Sequence, residues 1–103
     1  MISHRRWDEI RDEHPALVIS TDFLNDSSFG VLIVIPISSS SRPLRIHVEV
    51  PAGEGGLSKP SRVKCDQLGK ADIRRFRPKG RLGRLRPETI RKVETVVRRL
   101  LEL

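Results

Sequence analysis

No apolar run in this chain exceeds seven residues, and the longest, Val31 to Ile37, carries a proline at position 36. Seven residues suit a strand and fall far short of the roughly 20 that a membrane-spanning helix needs. Phe29 to Ile37 therefore reads as a central strand. Pro36 near its end predicts an edge or a bulge, because proline cannot donate to a ladder. Ala16 to Ser20, short and rich in β-branched residues, predicts a buried strand. Asn25-Asp26-Ser27-Ser28 is turn chemistry.

Ser38 to Pro43 read as a polar loop. Leu44 to Val50 then alternate strictly, with Leu, Ile, Val and Val on one face and Arg45, His47 and Glu49 pointing outward. Gly53-Glu54-Gly55-Gly56 reads as a flexible connection, Arg62 to Gln67 as a strand, residues 70–76 as a short helix, and Arg81 to Leu85 as a last strand. From Pro87 the period changes. Proline suits the first helical position and Glu88 the positive end of the helix dipole. Ile90, Val93, Val96, Val97, Leu100 and Leu101 then recur at helical spacing, a stripe for the core or for a dimer seam. At 103 residues the chain holds one domain, 1–103, and the order of elements predicts an α+β fold: a small β-rich barrel with a C-terminal helix.

Composition narrows the partners. Residues 51–103 carry 15 Lys/Arg against 6 Asp/Glu, a net of +9; residues 1–50 carry 5 against 7, a net of −2; together they give the +7 of the whole chain. Lys70, Arg74, Arg75, Arg77, Lys79, Arg81, Arg84 and Arg86 lie within 17 residues that hold one acid, Asp72. Such density points to a polyanion, since each neutralised phosphate releases condensed counterions. With Trp7, Phe23, Phe29 and Phe76 as the aromatic residues, base stacking is a minor term, and recognition rests on charge and hydrogen bonds. The N-terminus shows no apolar segment of a secretory signal, and one cysteine, Cys65, cannot form an internal disulfide; a cytoplasmic protein without a membrane partner is expected. His4, His14 and His47 are scattered, so no metal cluster and no cofactor is expected.

Four segments in order carry a resemblance: His14-Pro15-Ala16-Leu17-Val18-Ile19-Ser20, Val34-Ile35-Pro36-Ile37-Ser38-Ser39, Pro51 to Ser61 through Gly53-Glu54-Gly55-Gly56-Leu57, and Cys65-Asp66-Gln67. Together they resemble the MazF/PemK family of toxin endoribonucleases, over roughly residues 14–103, with residues 1–13 as a divergent or shortened N-terminal segment. The resemblance implies a MazF/CcdB-like, SH3-like barrel and a homodimer. It also implies metal-independent cleavage of single-stranded RNA by attack of the 2′-hydroxyl, and inhibition by a cognate acidic antitoxin. In that family an Arg-Pro and a Thr or Ser after the Pro-Ile segment form the catalytic pair. The second position matches as Ser38, whereas His14 stands where the family has arginine. Arginine supplies a permanent charge and a planar fork; histidine titrates near neutrality and can act as acid or base. Trp7 and Ile10 are expected in a helical turn that replaces the family's first strand.

RNA contacts are expected from Ser39, Arg42, Arg45, Lys59, Arg62, Lys64 and Lys70, and Gln67 is placed to read a base edge. Gly53-Glu54-Gly55-Gly56 lacks the Gly-Lys-Ser/Thr ending of a nucleotide loop and is not read as one. A second reading keeps the fold without the chemistry: a non-catalytic binding protein, gyrase-inhibitor-like as in CcdB, or an inactive homologue that binds RNA or antitoxin. The loss of the arginine favours it, and the Pro-Ile-Ser, Gly-Glu-Gly-Gly-Leu and Asp-Gln segments favour the nuclease.

Overall fold

The fold is built on the apolar run. In the computed structural model, which describes residues 6–10, 15–21, 24, 28–40, 42–72, 74 and 76–103 (the side chains of 6–10 and 76–81 excepted), Val31–Ser38 forms the long central strand β3. The earlier strands are β1 (Arg6–Ile10) and β2 (Pro15–Val18); after β3 come β4 (His47–Val50), β5 (Ser61–Lys64), β6 (Gly69–Asp72) and β7 (Phe76–Gly83), and then helix α1 (Pro87–Leu101). All pairings are antiparallel, in the order β4-β5-β3-β2-β1-β7, with β6 also on β3.

On one side β3 meets β2, with Ala16 opposite Pro36 and Val18 opposite Val34. On the other it meets first β6, with Val34 opposite Gly69, and then β5, with Ile37 opposite Val63. Between those two pairs β3 advances three residues (37 to 34) while its partner advances six (63 to 69). The three extra residues are absorbed in a 3-10 turn at Cys65–Gln67. Ile35 and Pro36 face this gap, so the ladder on that side lapses at the residue that lacks an N–H.

The period of two then sorts β3 onto two faces. Ile35 and Ile37 join Leu17, Ile19, Val48, Val50, Leu57, Val63, Cys65, Leu85, Ile90 and Val93 in the main core, under α1. Leu32 and Val34 join Ala16, Val18 and Ala71 on the opposite face, also buried. Two buried faces leave no polar position between Val31 and Ile37, which explains the unbroken apolar run. Helix α1 has Pro87 at its start and Glu88 in its first turn; Ile90 and Val93 are buried, Val96 and Val97 half-buried, and Leu100 and Leu101 exposed beyond the core. No described helix is long and apolar enough to cross a membrane.

Several expectations are corrected. The α+β class and the C-terminal helix hold, but the expected barrel is not closed: the end strands β4 and β7 are not paired to each other among the described residues. Residues 6–10, expected as a helical turn with Trp7 and Ile10, are strand β1, paired with β2 and β7. Gly69–Asp72 is strand where a helix over 70–76 was expected, because the edge of β3 offers it hydrogen-bond partners. The last strand begins at Phe76, five residues before the expected Arg81. The strand expected over 44–50 starts at His47, since a turn closed by the His47 N–H on the Leu44 carbonyl (3.0 Å) precedes it. The expected strand over 62–67 gives way to the 3-10 turn at Cys65.

The glycine segment is a docked turn. Glu54–Gly56 form a 3-10 turn against β7, and Gly56 sits at φ +85 where a Cβ would collide with the Leu82 carbonyl oxygen. Glu54 Oε2 accepts the Arg86 N–H at 3.0 Å, so this loop caps the start of α1 in place of any side chain local to the helix.

Candidate nucleic-acid interface

The interrupted ladder that places Pro36 also makes a cavity. The 3-10 turn at 65–67 swings Asp66 and Gln67 out of the β5 alternation, toward the loop that follows β3. A concavity of about 230 Å³ results, lined by Arg42, Leu44, His47, Lys64, Asp66 and Gln67. It is smaller than the roughly 300 Å³ at which drug-sized pockets begin, a scale fit for a fragment such as one nucleobase. Three expected RNA contacts, Arg42, Lys64 and Gln67, thus come together from the loop, from β5 and from the turn.

Sequence reasoning missed the pair at its base. His47 was expected to point outward on β4, yet its side chain is 3% exposed, and its Nε2 lies 3.1 Å from Asp66 Oδ1, a group 34% exposed. A carboxylate can only accept, so the imidazole proton of this bond sits on Nε2. Nδ1 is buried with no partner among the described residues. The alternation put His47 on the face of β4 opposite the Val48 and Val50 of the core; what it could not show was that the 65–67 turn brings Asp66 against that face. His47 also lines a groove of about 630 Å³ between β4 and α1, with Glu88, Arg91, Lys92, Thr95 and Val96 among its walls. Neighbouring Cys65 is buried, and desolvation pushes its thiol up to about 11; its backbone hydrogen bond opposes the rise and the adjacent Asp66 charge adds to it.

Ser38 ends β3 opposite Arg62 of β5, so Lys64 at the cavity lies one strand over and two residues along. Its Oγ accepts the Ser40 N–H at 3.2 Å and stands 3.4 Å from the Ser40 Oγ. With a lone pair occupied by the backbone donor, the hydroxyl proton can turn to the Ser40 Oγ or to an anion. Ser39 is exposed in the same loop. His14, the other expected catalytic residue, lies outside the described residues. Pro15, the next residue in the chain, begins β2 at the end of the sheet where β3 finishes on Ser38.

The remaining expected contacts are dispersed. Arg62 Nε is paired with Glu49 Oε2 at 2.9 Å. Arg45 is exposed in the turn before β4, and Lys59 is exposed ahead of β5, at the end away from Lys64. Lys70 lies on β6 opposite Ile33, five residues from Ser38 along β3, roughly 16 Å at the rise of a strand. Within the basic stretch, Arg74 is held by Asp72 through Nη2 to Oδ2 at 2.7 Å, and that carboxylate raises the guanidinium pKa further.

Comparison with known proteins gives this surface its context. The family described as PemK-like, MazF-like toxin of type II toxin-antitoxin systems matches residues 3–101. The chain belongs to this family. Among solved structures it is similar to the Mycobacterium tuberculosis toxin MazF-mt6, at 19% identity with a TM-score of 0.77 over 96% of both chains. MazE-MazF from Deinococcus radiodurans gives 21% identity and 0.77, covering 94% of this chain and 92% of that one. An endoribonuclease in complex with its cognate antitoxin from a mycobacterial species gives 14% and 0.73, over 100% and 95%. No curated protein matches the chain significantly by sequence. Membership makes it a toxin of the type II toxin–antitoxin class; at these identities the solved structures speak for the fold alone.

Proposed function

We propose that this toxin is a metal-independent endoribonuclease that cuts single-stranded RNA by attack of the 2′-hydroxyl on its own phosphodiester. Such a reaction needs a base for the hydroxyl proton, an acid for the departing 5′-oxygen, and donors for the charge that grows on phosphorus. The observation that carries the reading is the gathering of Arg42, Lys64 and Gln67 in one cavity, one strand from Ser38, in a chain of this family.

In this reading Ser38 donates its hydroxyl proton to a phosphoryl oxygen; the Ser40 N–H on its Oγ supports that direction. His14 transfers the proton in place of the family's arginine, supported by the start of β2 at Pro15 beside the Ser38 end of β3. Arg42 and Lys64 hold flanking phosphates, and Gln67 reads a base. A second copy of the chain completes the working dimer, and a cognate antitoxin with an acidic, partly disordered tail occupies the basic surface in the cytoplasm. The antitoxin is favoured by two neighbours solved in such complexes, MazE-MazF and the mycobacterial endoribonuclease.

The test is cleavage of a long single-stranded RNA in EDTA by the purified protein, beside His14→Ala and Ser38→Ala. Discrete fragments ending in 2′,3′-cyclic phosphate are expected. Ser38→Ala should slow cleavage by about 10²-fold, as for loss of one oxyanion donor, and His14→Ala by about 10²- to 10⁴-fold. Intact RNA with salt-sensitive binding would replace the nuclease with the non-catalytic binder, the reading that histidine in place of arginine favours.

A further inference from the structure

One group in the cavity is not explained by phosphate binding. Asp66 repels phosphate, yet it stands between Lys64 and Gln67 at the cavity wall and is held there. Its Oδ1 is occupied by His47 Nε2 at 3.1 Å, and the histidine that anchors it is buried while the carboxylate is partly open to solvent. Oδ2 has no partner among the described residues. An imidazole buried at the start of β4 cannot swing with its carboxylate, so Asp66 is oriented before any ligand arrives. The rest of the wall can donate: the Gln67 side-chain NH2, and the Arg42 guanidinium and Lys64 ammonium, whose several N–H groups can meet a base edge as well as a flanking phosphate, with Leu44 as an apolar, solvent-facing side. One fixed acceptor among three donors is a pattern for a base edge.

We infer that this cavity receives a nucleobase and that Asp66, positioned by His47, selects cytosine; the inference rests on the RNA-binding reading above. Cytosine presents its N4 amino group beside two acceptors, N3 and O2, and a carboxylate accepting from N4 is a favoured pairing. Uracil presents one N–H between two carbonyl oxygens, so the same carboxylate oxygen would lie against two like partial charges. On its Watson–Crick edge adenine has the one acceptor N1 beside its amino group and a C–H where cytosine has O2, which leaves a wall donor unmatched. Guanine there turns two donors, N1–H and N2–H2, toward the single free oxygen Oδ2 and a donor-rich wall. Asp66 is the specificity-determining residue, and His47 a positioning residue that need not touch RNA.

The experiment measures binding of fluorescent 2′-O-methyl hexamers of C, U and A, which cannot be cut through their own 2′-oxygen, to the full-length protein. The cytosine hexamer should bind about tenfold tighter than the uracil hexamer. Asp66→Asn should bring the two within about twofold with an unchanged circular dichroism spectrum. His47→Ala should narrow the preference while leaving the uracil affinity in place. A hexamer of N4,N4-dimethylcytidine tests the same contact with the unaltered protein and should bind no better than uracil. Equal binding of all three hexamers, or full affinity for the dimethyl hexamer, overturns cytosine selection and leaves RNA binding standing. Failure to bind any hexamer overturns the RNA reading beneath it. A His47→Ala protein that keeps the full preference removes the positioning role.

Discussion

Removing the cations at the cavity should flatten the salt dependence of RNA binding by an amount the structure sets. Arg42 and Lys64 line the concavity, and no described carboxylate pairs with either. Each phosphate neutralised on a single strand contributes about 0.7 to the slope of log K against log salt. Arg42→Ala and Lys64→Ala should therefore each lower the slope by about 0.7, and the double variant by about 1.4. Across a fourfold rise in salt, the double variant's affinity should then fall about sevenfold less than the parent's. Arg62 supplies the control. Its Nε is 2.9 Å from Glu49 Oε2, so a strand passing the pair meets nearly compensated charge. Removing both members together should change the slope by less than about 0.3. The assay is fluorescence anisotropy of a 2′-O-methyl RNA titrated at four or more salt concentrations. An unchanged slope in the Arg42/Lys64 double variant would refute the assignment of phosphates to this cavity. So would an Arg62/Glu49 double variant that loses as much slope as the cavity pair.

Three further expectations concern the scaffold. Glu54→Ala deprives the Arg86 N–H of its acceptor at the start of α1 and should cost about 1 kcal/mol in urea unfolding; an unchanged midpoint would remove the long-range cap. Gly56→Ala forces a Cβ onto the Leu82 carbonyl at a left-handed φ and should destabilise by about 2–4 kcal/mol, whereas Gly53→Ala, with open space around it, meets backbone strain alone. Cys65, its thiol pushed from 9.0 to about 11 by burial, should react with iodoacetamide at pH 8 about 100-fold more slowly in the native protein than in urea, following its thiolate fraction. Because the folded form keeps this proton to higher pH, stability should decline as pH rises from 9 through 11. Equal labelling rates would refute the burial.

Much of this protein is legible in its residues because the signals are local. Pro87, Glu88 and the stripe from Ile90 to Leu101 fix a helix, since its period and its first turn depend on neighbours in the chain. The apolar run fixes a central strand, and the ordered segments from Pro15 to Gln67 identify the family and nominate Ser38, Arg42, Lys64 and Gln67. The exposure of His47, the helix over 70–76, the helical turn at Trp7 and the closure of the barrel did not survive. Each depended on a partner distant in sequence: Asp66 against His47, β3 beside β6, β2 and β7 beside β1, and a β4–β7 seam that is absent among the described residues. Propensity yields wherever a neighbouring strand offers a full ladder of hydrogen bonds.

The candidate site shows the same division. Composition pointed to a polyanionic partner, and residue identity determined which side chains can donate to one. Only the tertiary structure decided which of them act together. The register of β5 and β6 on β3 leaves three residues over, and those residues carry Asp66 and Gln67 out of the sheet to Arg42, Lys64 and the buried ring of His47. A count of leftover residues is a property of two strands laid side by side, and it is written in neither strand alone.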